Sequence, residues 1–169
     1  EAWGIGFWSS STNSMVVDSG VGKIYFEGVG RSSGVNSYKM GITTYYGINV
    51  KSAYAGADAI KWVGSSTTAD AGWNLGIDLG AGNSTGTAAT YQTFTASGVG
   101  GGISMTGSGT EWAVLLRNGT QLLTNGGPIN LKAAAGGAGA GLFLRNAPSQ
   151  WWGSAAGSAV STSNSNITL

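Results

Sequence analysis

The chain has 169 residues and carries 8 basic and 7 acidic side chains, for a net charge of +1, with no Cys and no His. Disulfides, thiol or imidazole nucleophiles, Cys/His zinc sites and a Ser-His-Asp triad are therefore excluded, and the weak, mixed charge argues against an electrostatic nucleic-acid binder. Gly, Ser, Thr and Asn supply 79 residues, yet the apolar fraction is 41% with 7 Trp, which is more apolar surface than disordered chains carry.

In chain order, the N-terminal residues Glu1-Ala2-Trp3-Gly4-Ile5 show no basic leader pattern. Short alternating runs then follow one another. They fall at residues 5–8, 15–18, 23–27, 36–40, 42–45, 47–51, 59–63, 76–79, 90–94, 103–105, 111–116, 121–124, 129–131, 141–145, 158–162 and 167–169, with a poorer one at 73–75. Gly, Ser, Asn and Asp clusters bound them, as period-2 strands require. The best helical stretch, residues 131–140, is interrupted by Gly136, Gly137 and Gly139; each interior Gly costs a helix about 0.8–1 kcal/mol relative to Ala. No apolar run reaches the length of a membrane-spanning helix.

One pattern recurs: small or polar residue, Ile, any residue, large apolar residue. It begins at Ile24, Ile48, Ile77, Ile103, Ile129 and Ile167, at intervals of 24, 29, 26, 26 and 38 residues. Three short strands per interval, joined by Gly-rich corners, predict an all-β chain folded as a right-handed parallel β-helix (β-solenoid) of about six coils. Such a coil cannot bury its inner face alone, but stacked coils place Ile over Ile. The whole of 1–169 reads as one segment of a longer repeat protein, with a protruding loop at 146–157. The abrupt apolar starts and stops of the chain suggest end-to-end self-association. An antiparallel sandwich is the competing architecture, with Asn118-Gly119 as its hairpin turn.

The segment from Gly127 to Gly136 (Gly-Pro-Ile-Asn-Leu-Lys-Ala-Ala-Ala-Gly) and the run Ser165-Asn166-Ile167-Thr168-Leu169 resemble repeats of filamentous haemagglutinin-type exoproteins of two-partner secretion systems. These are related in style to autotransporter passenger domains. The resemblance is clearest over residues 99–169, and the uneven period and high Trp count depart from it. It implies export to the bacterial cell surface or medium through an outer-membrane transporter. It also implies a fibrous shape and a role in adhesion to a host or neighbouring-cell receptor or glycan.

Candidate chemistry is sparse. Glu27 and Asp78 occupy similar positions in their Ile motifs, and a stack would set them about 10 Å apart, just outside the 5–9.5 Å span of paired glycosidase carboxylates. Both alternate with apolar residues and read as solvated outward positions, so no catalytic residue is assigned and the chain reads as a non-enzyme. The glycine runs at 98–102 and 136–141 lead into no helix and no Lys-Ser/Thr pair, so they read as tight corners rather than phosphate cradles. Thr93-Phe94-Thr95 is a Thr-x-Thr pair of the kind that an ice-binding array would repeat in every coil. Asn83, Asn118 and Asn166 start N-x-S/T patterns. Trp151 and Trp152 cannot both face a core from one strand, which makes them the candidate ligand or partner contact, whereas Trp62, Trp73 and Trp112 read as packing residues. No cofactor, no metal and no membrane insertion are expected. The alternatives are a carbohydrate-active β-helix of tailspike or lyase type and a self-assembling filament subunit.

Overall fold

A computed structural model describes residues 2–10, 13–31, 38–66, 73–81, 91–117, 119–136, 140–145, 159–162 and 166–169. Its elements are all strands: β1 (Ala2–Trp8), β2 (Met15–Asp18), β3 (Ile24–Gly30), β4 (Lys39–Tyr45), β5 (Ile48–Ser52), β6 (Ile60–Ser66), β7 (Asn74–Ala81), β8 (Gln92–Gly109), β9 (Trp112–Arg117), β10 (Gln121–Ala135), β11 (Ala140–Arg145), β12 (Ala159–Thr162) and β13 (Ile167–Thr168). Every pairing between them is parallel.

The pairings form three ladders. The first is the sheet β1-β4-β7-β9-β11. Its central column runs Ile5, Ile42, Ile77, Val114, Leu142. In the second, β2 and β5 pair on into the front half of β8, which continues through the front half of β10 to β12. Its column runs Val17, Val50, Phe94, Leu122, Val160. In the third, β3 and β6 pair on into the rear half of β8, which continues through the rear half of β10 to β13. Its column runs Ile24, Ile60, Ile103, Ile129, Ile167.

The ladders bear on two expectations. About six coils are expected, and among the described residues the first ladder contains five strands. The six Ile motifs do not share one column. Ile24, Ile103, Ile129 and Ile167 do, but Ile48 belongs to the second ladder and Ile77 to the first. Ile60, which the six motifs leave out although Ile60-Lys61-Trp62 fits the same pattern, completes the third column. A two-residue pattern marks an inward strand but cannot say which side of the cross-section the strand occupies. The hairpin at Asn118-Gly119 is absent, since the strands either side of it, β9 and β10, lie in different ladders.

Two strands are also much longer than the short runs expected. β8 and β10 span 18 and 15 residues because each continues through a corner from the second ladder into the third. Gly100 and Gly126 make those corners with φ of 73° and 78°, a backbone region that Gly enters without a Cβ clash. Within residues 98–102 the positive φ falls on Gly100, and the run lies inside β8. The corresponding turn after β4 uses Tyr46, the non-Gly residue with positive φ, at 60°; Gln92 Nε2 donates to its carbonyl at 2.5 Å and holds it there.

The core lies between the ladders. It holds Trp62, fully buried, in ring contact with Phe7, Phe26 and Phe94 at 5.3, 5.6 and 4.9 Å. The cross-section then tapers. Inward positions of the third ladder pass from Ile and a large residue to Gly28, Gly64 and Gly107. A Cβ on Gly107 would run into the Ala113 carbonyl, and one on Gly64 into that of Gly76. The third ladder therefore meets the first backbone to backbone, with no side chain between them.

Candidate functional site

The third ladder alternates as a half-buried sheet should. β3 reads buried Ile24, exposed Tyr25, half-buried Phe26, exposed Glu27, buried Gly28. The first ladder does not. β4 from Lys39 to Thr44 and β7 from Asn74 to Gly80 are buried along their whole length. Their inner side chains join the main core, while Met40, Leu75 and Leu115 form a second apolar cluster with Trp73, Trp112 and Phe143. Aromatic rings run along this second cluster: Tyr38 to Trp73 at 5.7 Å, Trp73 to Trp112 at 4.9 Å, Trp112 to Phe143 at 5.9 Å.

A charged pair sits in the same ladder. Arg117 Nη2 donates to Asp78 Oδ2 at 2.5 Å, with both side chains buried. Burial pushes the Asp78 carboxyl above its ordinary range; the Arg117 guanidinium and its hydrogen bond pull the other way without offsetting it. The other oxygen, Oδ1, finds no protein partner, and neither does the hydroxyl of Thr43, which lies opposite Asp78 on β4. Asp78 is thus not the solvated outward residue its alternation suggested. The spacing drawn between Glu27 and Asp78 also fails: Glu27 pairs with Val63 in the third ladder, Asp78 with Thr43 and Leu115 in the first. Glu27 is exposed, as expected, and accepts a hydrogen bond from Tyr25 Oη at 2.6 Å. That bond raises the Tyr25 phenol above its usual range.

At the first level, an exposed aromatic group appears that the sequence did not single out. Trp8 stacks on Tyr45 at 4.0 Å with an interplanar angle of 3°, and Trp3 lies 5.0 Å from Trp8. Trp3 and Trp8 are 36% and 47% exposed, and both flank the bare backbone of Gly6. The signal was present as Trp3-Gly4-Ile5-Gly6-Phe7-Trp8: small residues between large rings leave them room to lie flat. What the sequence could not supply was the partner, Tyr45, which comes from the next level.

Trp151, Trp152 and the 146–157 loop lie outside the described residues, as do Asn83-Ser84-Thr85 and Asn118. Thr120, the hydroxyl residue of the second N-x-S/T pattern, is buried and donates to the Arg117 carbonyl at 2.8 Å. Thr93 and Thr95 lie between Asn49 and Gln121 and between Lys51 and Leu123, so no Thr array extends from them. Trp62 is a core residue as expected, while Trp73 and Trp112 pack on the second cluster. Among the described residues no cluster of three or more His, Cys, Asp or Glu could hold a metal, and no helix is long and apolar enough to cross a membrane.

Comparison with known proteins found no matching family model, no matching curated protein and no matching solved structure.

Proposed function

We propose that the chain is a right-handed parallel β-helix and a structural, adhesive segment of a large secreted or cell-surface bacterial exoprotein: a rigid spacer presenting binding loops. The observation that supports the reading is that all pairings among the described strands are parallel, and that the five-stranded sheet takes up β1, β4, β7, β9 and β11 in chain order. Each level can hold a loop between strands without breaking a ladder, which is how a regular stack combines stiffness with variable binding surface. The haemagglutinin-like rhythm of residues 127–136 and 165–169 supplies the adhesive and exported context. In this reading the partners are a glycan or receptor on a host or neighbouring cell and an outer-membrane secretion transporter. Trp151 and Trp152, and the exposed pair Trp3 and Trp8, offer rings for sugar or protein contact.

The reading is tested on the cells that make the protein. Antibody raised against the chain should label intact cells or recover it from the medium, and purified chain should compete with cell attachment. Label only after lysis would overturn the location. Glycan or cell binding unchanged in the Trp151→Ala, Trp152→Ala double variant would remove the loop from the binding role.

A further inference from the structure

The five lysines do not share one environment. Lys23, Lys51 and Lys132 are exposed and Lys61 is half-buried, but Lys39 on β4 is fully buried, a rare place for a lysine. Its register partner on β7 is Asn74, also fully buried. Paired residues of neighbouring strands send their side chains to the same face, with the strands about 4.8 Å apart. The next pair along, Met40 and Leu75, joins the second apolar cluster, so alternation turns Lys39 and Asn74 the other way, toward the third ladder. There Ser66, buried at the end of β6, donates its hydroxyl to Asn74 Oδ1 at 3.2 Å.

Bare backbone closes the space around them. A Cβ on Gly30 would run into the backbone of Met40, and one on Gly109 into the carbonyl of Asn74. An amine, a primary amide and a hydroxyl are thus enclosed together where the first and third ladders converge. These are the parts of an amide exchange. A nucleophile is held beside a carbonyl carbon, a hydrogen-bond donor already sits on the oxygen where negative charge develops, and water is kept out. The flexible four-carbon stem of lysine can curl onto a neighbour.

We infer that Lys39 and Asn74 join in an intramolecular isopeptide bond that ties β4 to β7. The Lys39 ammonium gives up a proton, and its Nζ adds to Asn74 Cγ while Ser66 holds the oxygen. A second proton passes from Nζ to Nδ2 as the Cγ–Nδ2 bond breaks. Ammonia leaves and takes up the first proton as ammonium, so no oxidant, metal or cofactor enters the balance. The product is a neutral amide in place of a buried amine, which removes the cost of holding a charge away from water. The bond also closes the chain from residue 39 to residue 74 into a loop. It restricts the unfolded state as a disulfide would, in a chain that has no Cys.

Mass spectrometry of the purified, denatured chain should give a mass lower than that of the sequence by one ammonia. Trypsin should leave the bond after Lys39 uncut and release a branched peptide, residues 32–51 joined to 62–117. Lys39→Arg, which keeps the charge, and Asn74→Ala should each return the full mass and lower the melting temperature by about 10 °C, the loss expected when a loop of this length is opened. Ser66→Ala should slow the reaction at least about tenfold, seen as an unlinked fraction in fresh protein that shrinks with time. A parent chain of full sequence mass overturns the inference, whether or not the variants fold. So does an ammonia deficit that persists in Lys39→Arg, the mark of a succinimide elsewhere, or a branch at other residues. Linking at an unchanged rate in Ser66→Ala strikes Ser66 from the reaction. The spacer reading stands in each case, since surface labelling does not depend on the bond.

Discussion

The first and third ladders are built from the same repeated step but use their outer faces differently. In the third, every second residue is exposed or half-buried: Tyr25 and Glu27 are exposed on β3 and Lys132 on β10, while Lys61, Val63 and Ser65 on β6 are half-buried. In the first, the outer side is buried as well and carries Met40, Leu75, Leu115 and the Asp78–Arg117 pair. A strand buried on both faces loses the polar alternation that marks a half-exposed one. Polar residues placed there must then find partners within the protein, and those that do not carry a cost.

That difference can be broken from several directions. The largest effect belongs to the shared core. Trp62→Ala should cost about 3–5 kcal/mol, read from the denaturant midpoint, because it empties the site where Phe7, Phe26 and Phe94 meet. If the loss is under 1 kcal/mol, this ring cluster is not where the stack is held together.

Next comes the buried pair. Asp78→Leu alone should destabilise by about 3 kcal/mol, since it removes the carboxylate that Arg117 touches; adding Arg117→Met should recover most of that loss, as apolar replacements of buried pairs commonly do. Equal losses in the single and double variants would show that the pair does not act as a unit.

A smaller change, of opposite sign, is expected at Thr43. Its buried hydroxyl lacks a partner, so Thr43→Val should stabilise by about 1 kcal/mol in thermal melts. Destabilisation would mean that the hydroxyl is hydrogen-bonded after all.

The pH dependence sharpens the comparison further. The folded Asp78 carboxyl binds its proton at higher pH than the unfolded one, so its contribution to stability grows as pH falls through the raised folded pKa. It is complete below the ordinary carboxylate value and lost as pH rises. Asp78→Asn should flatten that part of the stability–pH curve. A parent curve that falls with acid across the window, with the same slope in the variant, would contradict the assignment. The smallest effect lies on the exposed side of the third ladder, where Tyr25→Phe should leave the melting temperature unchanged while removing the high-pH phenol titration.

Much of the strand inventory was legible in the chain. Alternation located β2, β5 and β9 to within one residue, while β6 runs three residues beyond the expected end, and a Gly run contained the positive-φ position at Gly100. What misled was treating each Ile motif as one recurring station. Ile77 and Ile103 look alike locally, yet they stand in different ladders, because the offset between levels varies with the length of the connecting segments. The runs 36–40 and 42–45 belong to the single strand β4, and Gly41 between them marks a close approach of its backbone to those of Gly64 and Gly76.

The site was less legible than the fold. Trp8 is visible in the sequence, but Tyr45, which it stacks upon, stands 37 residues later and joins it through register alone. Asp78 and Arg117, 39 residues apart, carry no motif that links them. By itself the sequence determined that strands would form and that aliphatic residues would point inward, since backbone preference and side-chain periodicity act over a few residues. Only the tertiary structure decided which strands share a ladder and which outer face is covered. Those outcomes depend on loop lengths and on contacts between residues 25 to 45 positions apart, a range over which local preference carries no information.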